Sequence, residues 1–172
     1  MRVRSTFLII LFACLSLGST LSAQKIAHID MERVLGSITE YQDAQTQLDQ
    51  LAAKWQQEIN QQYDDIKGMY NKYQAEQVLL TEDQRSGREE EIVAKEKSVR
   101  ELQRQRFGAD GLLFDRRQEL VKPIQDAIYE AVEAYARTRG YDYILDRSSA
   151  AGILFSSETY DKTDDILRAL QN

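Results

Sequence analysis

The sequence predicts a mainly α-helical protein with a small β body, in which a long antiparallel helical hairpin, a coiled-coil tentacle, projects from a short-stranded oligomerisation domain. Three observations carry this prediction. Apolar residues recur every three or four positions over much of residues 41–139, as on one face of a coiled-coil helix. Short alternating segments lie near both ends of this region, as in strands. The chain has 1 proline in 172 residues and is rich in Gln, Glu, Asp and Arg, a composition typical of long helices.

The first 23 residues have the layout of a secretory signal peptide. Arg2 and Arg4 form a basic start, residues 7–17 are an apolar run, and small residues lead to Ala23. The run is too short to span a bilayer, so we expect cleavage after Ala23, export to the periplasm and no stable membrane insertion. Cys14, the only cysteine, leaves a second route open, acylation as a lipoprotein. Cleavage after Ala23 removes it, and with it disulfide and thiol chemistry.

The charge of the chain argues against a nucleic-acid partner. Without Arg2 and Arg4, 20 Lys and Arg residues stand against 28 Asp and Glu, a net charge of −8. An acidic chain that lacks a clustered basic face binds nucleic acid poorly. Residues 95–106 are mildly basic, and their simplest interpretation is a solvated helix face.

The body is predicted at residues 24–40 and 140–172. Residues 25–30 alternate as a strand, and a short helix follows until Gly36. Thr39 and Gln42 have the spacing of a capping box, so a long helix should begin there.

The arm is predicted at residues 41–139. Its first helix carries an apolar seam in steps of three and four, at Tyr41, Ala44, Leu48, Leu51, Trp55, Ile59, Tyr63, Ile66, Tyr70 and Tyr73. The chain should reverse before Thr81, the expected N-cap of a returning helix that runs to Arg139. Gly108 and Gly111 should interrupt that helix mid-way and could flex it, and Pro123 should kink or restart it.

The C-terminal part should return to the body. Gly140 is suited to end the long helix, residues 141–146 and 153–155 are predicted strands, and a last helix is capped by Asp161 or Thr163. Three short strands make a poor core, and an arm of roughly 60 Å exposes too much seam for a monomer. We therefore expect an oligomer whose core contains Ile26, Ile29, Ile144, Leu145, Ile153, Leu154 and Phe155.

The sequence offers no constellation for catalysis, a cofactor or a metal. His28 is the only histidine and lies on a predicted strand, where a structural role is the simpler interpretation. Glu89, Glu90 and Glu91 are consecutive on a helix and point about 100° apart, so they do not close on one ion. The sequence contains neither a glycine-rich phosphate loop nor a Ser/His/Asp set. We expect a protein that is not an enzyme.

Five segments together resemble the Skp/OmpH family of periplasmic chaperones: residues 25–31, 118–124, 140–146, 152–155 and 160–167. The resemblance covers essentially the whole mature chain and is most specific in the C-terminal third. It implies a homotrimer with a small β-rich body and three helical tentacles around a cavity, which holds unfolded outer-membrane β-barrel proteins without ATP. It does not extend to charge, because the best-known members look strongly basic and this chain is acidic.

For such a protein, apolar side chains partly off the seam are candidate contacts to unfolded clients, whereas seam packing is the default for tyrosines at helical spacing. The candidates are Met69, Tyr70, Tyr73, Val78, Leu79, Leu80, Phe107, Leu112 and Phe114. A structural coiled-coil component of the cell envelope or of an export assembly stays open as an alternative. Such a spacer does not need the compact C-terminal β unit, which favours the chaperone.

Overall fold

The computed structural model describes residues 23–149 and 153–171; Cys14 and nearly all of the predicted signal peptide lie outside them. The described elements are β1 (Ile26–Ile29), α1 (Met31–Gly36), α2 (Thr39–Glu76), α3 (Glu82–Phe107), α4 (Leu112–Arg139), β2 (Tyr143–Asp146) and α5 (Thr163–Leu170). Short 3₁₀ turns lie at Gln77–Leu79 and Glu158–Tyr160. This order confirms the predicted fold class, a mainly helical chain with a long helical hairpin and a small β element.

The body is a two-stranded parallel sheet covered by helices on one face. β1 pairs with β2 from Ile26 opposite Tyr143 to Ile29 opposite Asp146. Because side chains alternate along a strand, Ile29 points into the helices while Ile26 points away from them. The core consists of Ile29 with Val34, Ile128 and Ile166, one residue from each of four elements.

Polar contacts fix the entry into α1. The Asp30 side chain accepts a hydrogen bond from the Arg33 amide at 2.9 Å, which is the cap expected after the first strand. Asp146, at the end of β2, accepts from the Met31 amide at 3.2 Å. Burial raises the pKa of Asp146, but hydrogen bonds from Ser148 and from backbone amides outweigh burial and lower it overall.

The arm is an antiparallel hairpin in which α2 packs against α3 near the tip and against α4 near the body. The tip half is closed by Ile59 and Ile66 of α2 with Ile92 and Val99 of α3. The body half is closed by a smaller cluster of three buried residues, Ala44, Leu48 and Val121. Thus α2 spans the arm as one helix, whereas its partner is two helices.

Two helix ends are formed as the sequence predicts. Thr81 caps α3 through a reciprocal capping box with Gln84, and Glu82 and Asp83 follow in the first turn. α4 ends at Gly140, whose φ of 69° is a left-handed conformation that glycine adopts without steric cost.

The predicted start of α2 is wrong in its capping chemistry. The N-cap is Ile38, which makes no side-chain cap hydrogen bond, so Thr39 is already inside the helix. Gln42 donates from Nε2 to the Gly36 carbonyl at 2.5 Å instead of closing a capping box. Ile38 packs against the body core, and this burial sets the helix start in place of a polar cap.

The predicted returning helix is divided where Gly108 and Gly111 were expected to interrupt it, and Pro123 does not divide it further. The break lies at residues 108–111, between α3 and α4. α4 continues through Pro123, so the predicted restart is wrong. Packing on both sides of the proline, through Val121 and Ile128, holds the helix where one backbone donor is missing.

The predicted strand at residues 153–155 is also wrong, because these residues have no ladder partner within the described chain. The free side of β1 is used elsewhere: His28 forms a parallel bridge with Asp161, and its carbonyl accepts from the Lys162 amide at 2.9 Å. Alternation of apolar residues therefore described an extended segment, but it did not identify a pairing partner.

Candidate binding surfaces

A row of polar contacts on the arm joins α2 to α3. The hydroxyl groups of Tyr63, Tyr70 and Tyr73 donate to acceptors on α3: to Gln103 at 3.4 Å, to Glu96 at 3.1 Å, and to Glu89. The acceptors are spaced by seven residues, two turns of helix, so they lie on one flank of the seam. Hydrogen bonding to Glu96 and to Glu89 raises the pKa of Tyr70 and of Tyr73 respectively.

The end of α3 is held by an aromatic and charged contact. The Arg106 guanidinium lies 5.3 Å from the centroid of the Trp55 ring, and its Nη1 lies 2.5 Å from Glu58 Oε2. The Arg106 side chain is only 17% exposed, so this pair is better shielded from water than the other ion pairs between described residues.

Three of the nine candidate client contacts are part of the arm interior. Met69, Tyr73 and Phe107 pack against the buried cluster that joins α2 to α3. These side chains are partly buried, so they stabilise the hairpin and offer a client only part of their surface.

The other six candidates lie nearer the surface. Val78 and Leu79, on the turn at the tip, are 84% and 82% exposed. Leu80 beside them is partly buried. Tyr70, Leu112 and Phe114 expose about half of their side chains or slightly less. The structure therefore separates the candidates into two exposed apolar groups, one at the tip and one just after the break, and an exposed tyrosine flank between them.

The residues predicted for the oligomer core also divide into two sets. Ile29 and Ile144 belong to the core of a single protomer. Ile26 and Leu145 lie on the other face of the sheet, away from the helices. In the segment that follows β2, Ile153 is partly buried, whereas Leu154 is fully exposed and Phe155 is 88% exposed. The sheet thus has one apolar face packed against helices and one face that is only partly covered, where His28 is buried while Ile26 and Leu145 are each 43% exposed.

The open sheet face borders a groove of about 490 Å³. Its apolar lining includes Ile26, Leu145, Ile153, Phe155 and Tyr160. Sequence reasoning missed two exposed tyrosines here, Tyr143 and Tyr160. Tyr143 was identifiable, because it is two residues from Leu145 and therefore on the same face of β2. Tyr160 was not, because only the fold brings it to the sheet.

His28 contributes to the body as a hydrogen-bonding residue. It is 4% exposed, and its Nε2 lies 3.2 Å from the Ser157 carbonyl. Because a carbonyl only accepts, Nε2 carries the proton in this contact. Within residues 23–149 and 153–171, no group of three His, Cys, Asp or Glu side chains has an arrangement that would hold a metal ion. In the same ranges, none of the helices combines the length and the apolar character required to cross a membrane.

Comparison with known proteins agrees with this architecture. The profile of the OmpH family, outer membrane protein (OmpH-like), matches residues 25–170. A crystal structure of a protein from Caulobacter crescentus CB15, assigned as an OmpH-like outer membrane chaperone, shares the fold with a TM-score of 0.66. The two sequences are 13% identical, and the match covers 87% of this chain and 85% of that chain. A search of curated proteins gave no match.

Proposed function

Because the chain belongs to the OmpH-like outer membrane protein family, we propose that it is an ATP-independent holdase chaperone of the periplasm. It would bind unfolded outer-membrane β-barrel proteins and prevent their aggregation during transit to the outer membrane.

The construction of the arm is the observation that carries this proposal. α2 has 38 residues, a rise of about 57 Å, yet only four of them are buried: Ala44, Leu48, Ile59 and Ile66. Such an arm contributes little to a globular core and presents a large surface on which apolar side chains remain accessible. Many weak contacts on this surface would hold a flexible client without fixing one conformation. Binding of the unfolded form competes with client self-association by mass action and needs no nucleotide.

The open sheet face supports assembly into a homotrimer. A monomeric soluble protein seldom leaves a contiguous apolar patch on a sheet face uncovered, and Leu154 and Phe155 extend this patch. If a second and a third copy cover this face, the three bodies meet at the base of the trimer and the three arms project from it around a shared cavity. Clients would be held between the arms.

The predicted signal peptide supports the periplasmic assignment. The contacts around the expected cleavage site are compatible with cleavage: Ala23 and Gln24 are exposed, whereas the Lys25 amide donates to the Asp142 carboxylate at 2.7 Å. Cleavage after Ala23 would leave the body intact. The intact mass of the exported protein tests this assignment, because a lipoprotein acylated at Cys14 would carry lipid and retain the ten residues 14–23.

A structural spacer of the cell envelope is the competing function, and one experiment separates the two. A urea-unfolded outer-membrane β-barrel protein is diluted without nucleotide, alone or with a modest molar excess of the mature chain. Light scattering follows aggregation, and native mass spectrometry gives the stoichiometry. We expect suppressed scattering and a complex of three copies with one client. A well-folded oligomer that neither suppresses scattering nor forms a complex would favour the spacer.

A further inference from the structure

The turn at the arm tip is held by polar contacts. Gln84 closes the capping box with Thr81, whose amide donates to Gln84 Oε1 at 3.0 Å. Arg85 donates from Nε to the Gln77 carbonyl at 3.1 Å, which ties the turn to the first helix turn of α3. Gln77 in turn donates to the Tyr73 hydroxyl at 3.3 Å. These contacts fix the backbone of the turn without involving the side chain of Val78 or Leu79.

Val78 and Leu79 contribute almost nothing to this turn. They are 84% and 82% exposed, whereas Val93 and Leu112, the other exposed aliphatic side chains of the arm, are 55% and 54% exposed. Two adjacent branched aliphatic residues on a rigid turn form a preorganised apolar knob, which can bind without losing backbone freedom.

The surroundings of this knob are acidic. Residues 72–91 form the end of the hairpin, since Tyr73 contacts Glu89, and they contain six carboxylates and three basic side chains, a net charge of −3. Arg85 is engaged within the tip, since its Nη1 lies 3.6 Å from Glu82 in addition to the contact with Gln77. The neighbouring shaft differs: residues 56–71 and 92–106 together carry six basic and five acidic side chains, a net charge of +1.

We propose that the arm tip, Val78 and Leu79 with the surrounding carboxylates, is a docking surface for apolar client segments that are flanked by lysine or arginine. This inference rests on the proposed chaperone function and specifies one class of client segment. The aliphatic pair supplies apolar contact, and the carboxylates attract the cationic flank. The same charge repels anionic lipid and the tip of another copy. The tip also lies a whole helix length from the sheet, so assembly through the body leaves it accessible.

The test uses the mature oligomer and two labelled peptides with the same alternating valine, leucine and serine segment, flanked by lysines in one and by glutamates in the other. Fluorescence anisotropy measures binding at low ionic strength. We expect the lysine-flanked peptide to bind about tenfold tighter, the effect of two or three exposed charge pairs, and salt to reduce this ratio. The double substitution V78S/L79S should weaken binding of that peptide about tenfold, and E82Q/D83N should reduce the ratio.

The matched control is Val93→Ser, which removes an exposed aliphatic side chain from the shaft and should leave binding within twofold. Equal affinity for the two peptides, or an equal loss in V93S and V78S/L79S, would overturn the proposal. Loss of binding to vesicles of anionic phospholipid in V78S/L79S, with peptide binding unchanged, would overturn it in favour of a lipid surface. Protection of a full-length barrel protein, measured in parallel, decides the chaperone function separately, because holdase activity can persist when the peptides are not discriminated.

Discussion

The indole ring of Trp55 meets the phenyl ring of Phe107 edge-on, with ring centroids 6.2 Å apart and planes at 87°. Phe107 is the last residue of α3, directly before the break, whereas Trp55 lies within the unbroken α2. The contact therefore fixes the end of one helix against the continuous helix opposite it. This contact keeps α2 aligned with its partner helices at residues 108–111, where the partner changes from α3 to α4.

Replacing Phe107 with alanine should lower the free energy of unfolding by about 2 kcal/mol, less than for a fully buried phenylalanine because the ring is only partly buried. Urea unfolding measures the loss, and the fluorescence of Trp55, the only tryptophan, reports on the contact itself. Phe114→Ala, which removes a more exposed ring, is the matched control and should cost much less. Equal losses of unfolding free energy in the two variants would mean that the contact between Trp55 and Phe107 does not stabilise the arm at the break.

Alanine at the break should destabilise the arm. A Cβ atom at Gly108 would lie 2.5 Å from the Arg104 carbonyl oxygen, and one at Gly111 would lie 2.9 Å from the Gln105 carbonyl oxygen. Both oxygens belong to the backbone of α3, so the backbone at the break must move to accommodate either methyl group. The two glycines thus allow close packing, whereas the sequence had predicted flexibility. We expect a lower melting temperature for each variant.

Gly87→Ala is the control for these variants. A Cβ atom there meets nothing within 4 Å and lies inside α3, so alanine should stabilise the helix by about 0.5–1 kcal/mol. If Gly108→Ala raised the melting temperature as Gly87→Ala does, the close approach at the break would not be a constraint.

Aspartate at Leu154 and Phe155 should dissociate the oligomer. Both side chains are exposed in the protomer, so the double substitution L154D/F155D costs little in its own fold. In the proposed trimer they would be buried, and two carboxylates without partners would carry a large desolvation penalty. Sedimentation velocity measures the change in mass. Val93→Asp on the arm should leave the oligomer intact, and an unchanged mass in the double variant would exclude this face as the interface.

The contact between Tyr135 and Asp165 should make stability depend on pH. The Tyr135 hydroxyl donates to Asp165 Oδ2 at 2.6 Å, and this hydrogen bond lowers the pKa of Asp165. A carboxyl group with a lowered folded-state pKa stabilises the fold above its unfolded value of about 4, and the contribution is lost as pH falls through the folded pKa. Tyr135→Phe should therefore cost about 1 kcal/mol at pH 7 and progressively less below about pH 4.

Urea unfolding at several pH values measures this dependence. Tyr129→Phe, at an exposed position on the same helix, should change stability little at any pH. If Tyr135→Phe lowered the free energy of unfolding by the same amount from pH 7 to the acid range, the hydroxyl group would stabilise the fold independently of the ionisation of Asp165.

The sequence predicted the elements where a local pattern is sufficient. The seam of α2, the cap at Thr81 and the end of α4 at Gly140 follow from periodicity, side-chain hydrogen bonding and backbone freedom within a few residues. The candidate site was less predictable. Met69 and Val78 are both apolar residues near the end of α2, yet one packs in the seam and the other is exposed on the turn. Helical spacing ends at the turn and cannot assign exposure beyond it.

The sequence alone thus determined the helical hairpin, the interruption of its returning helix at Gly108 and Gly111, and the family, because these follow from patterns along the chain. Tertiary structure alone decided that β1 pairs with β2 in parallel, that Ile38 rather than Thr39 is the N-cap of α2, and that residues 153–155 remain unpaired. Each of these depends on which surfaces meet: Ile26 opposite Tyr143, the body core beneath Ile38, and Asp161 on the free side of β1. Such contacts join residues far apart in sequence, so their free energy is not encoded in any local pattern.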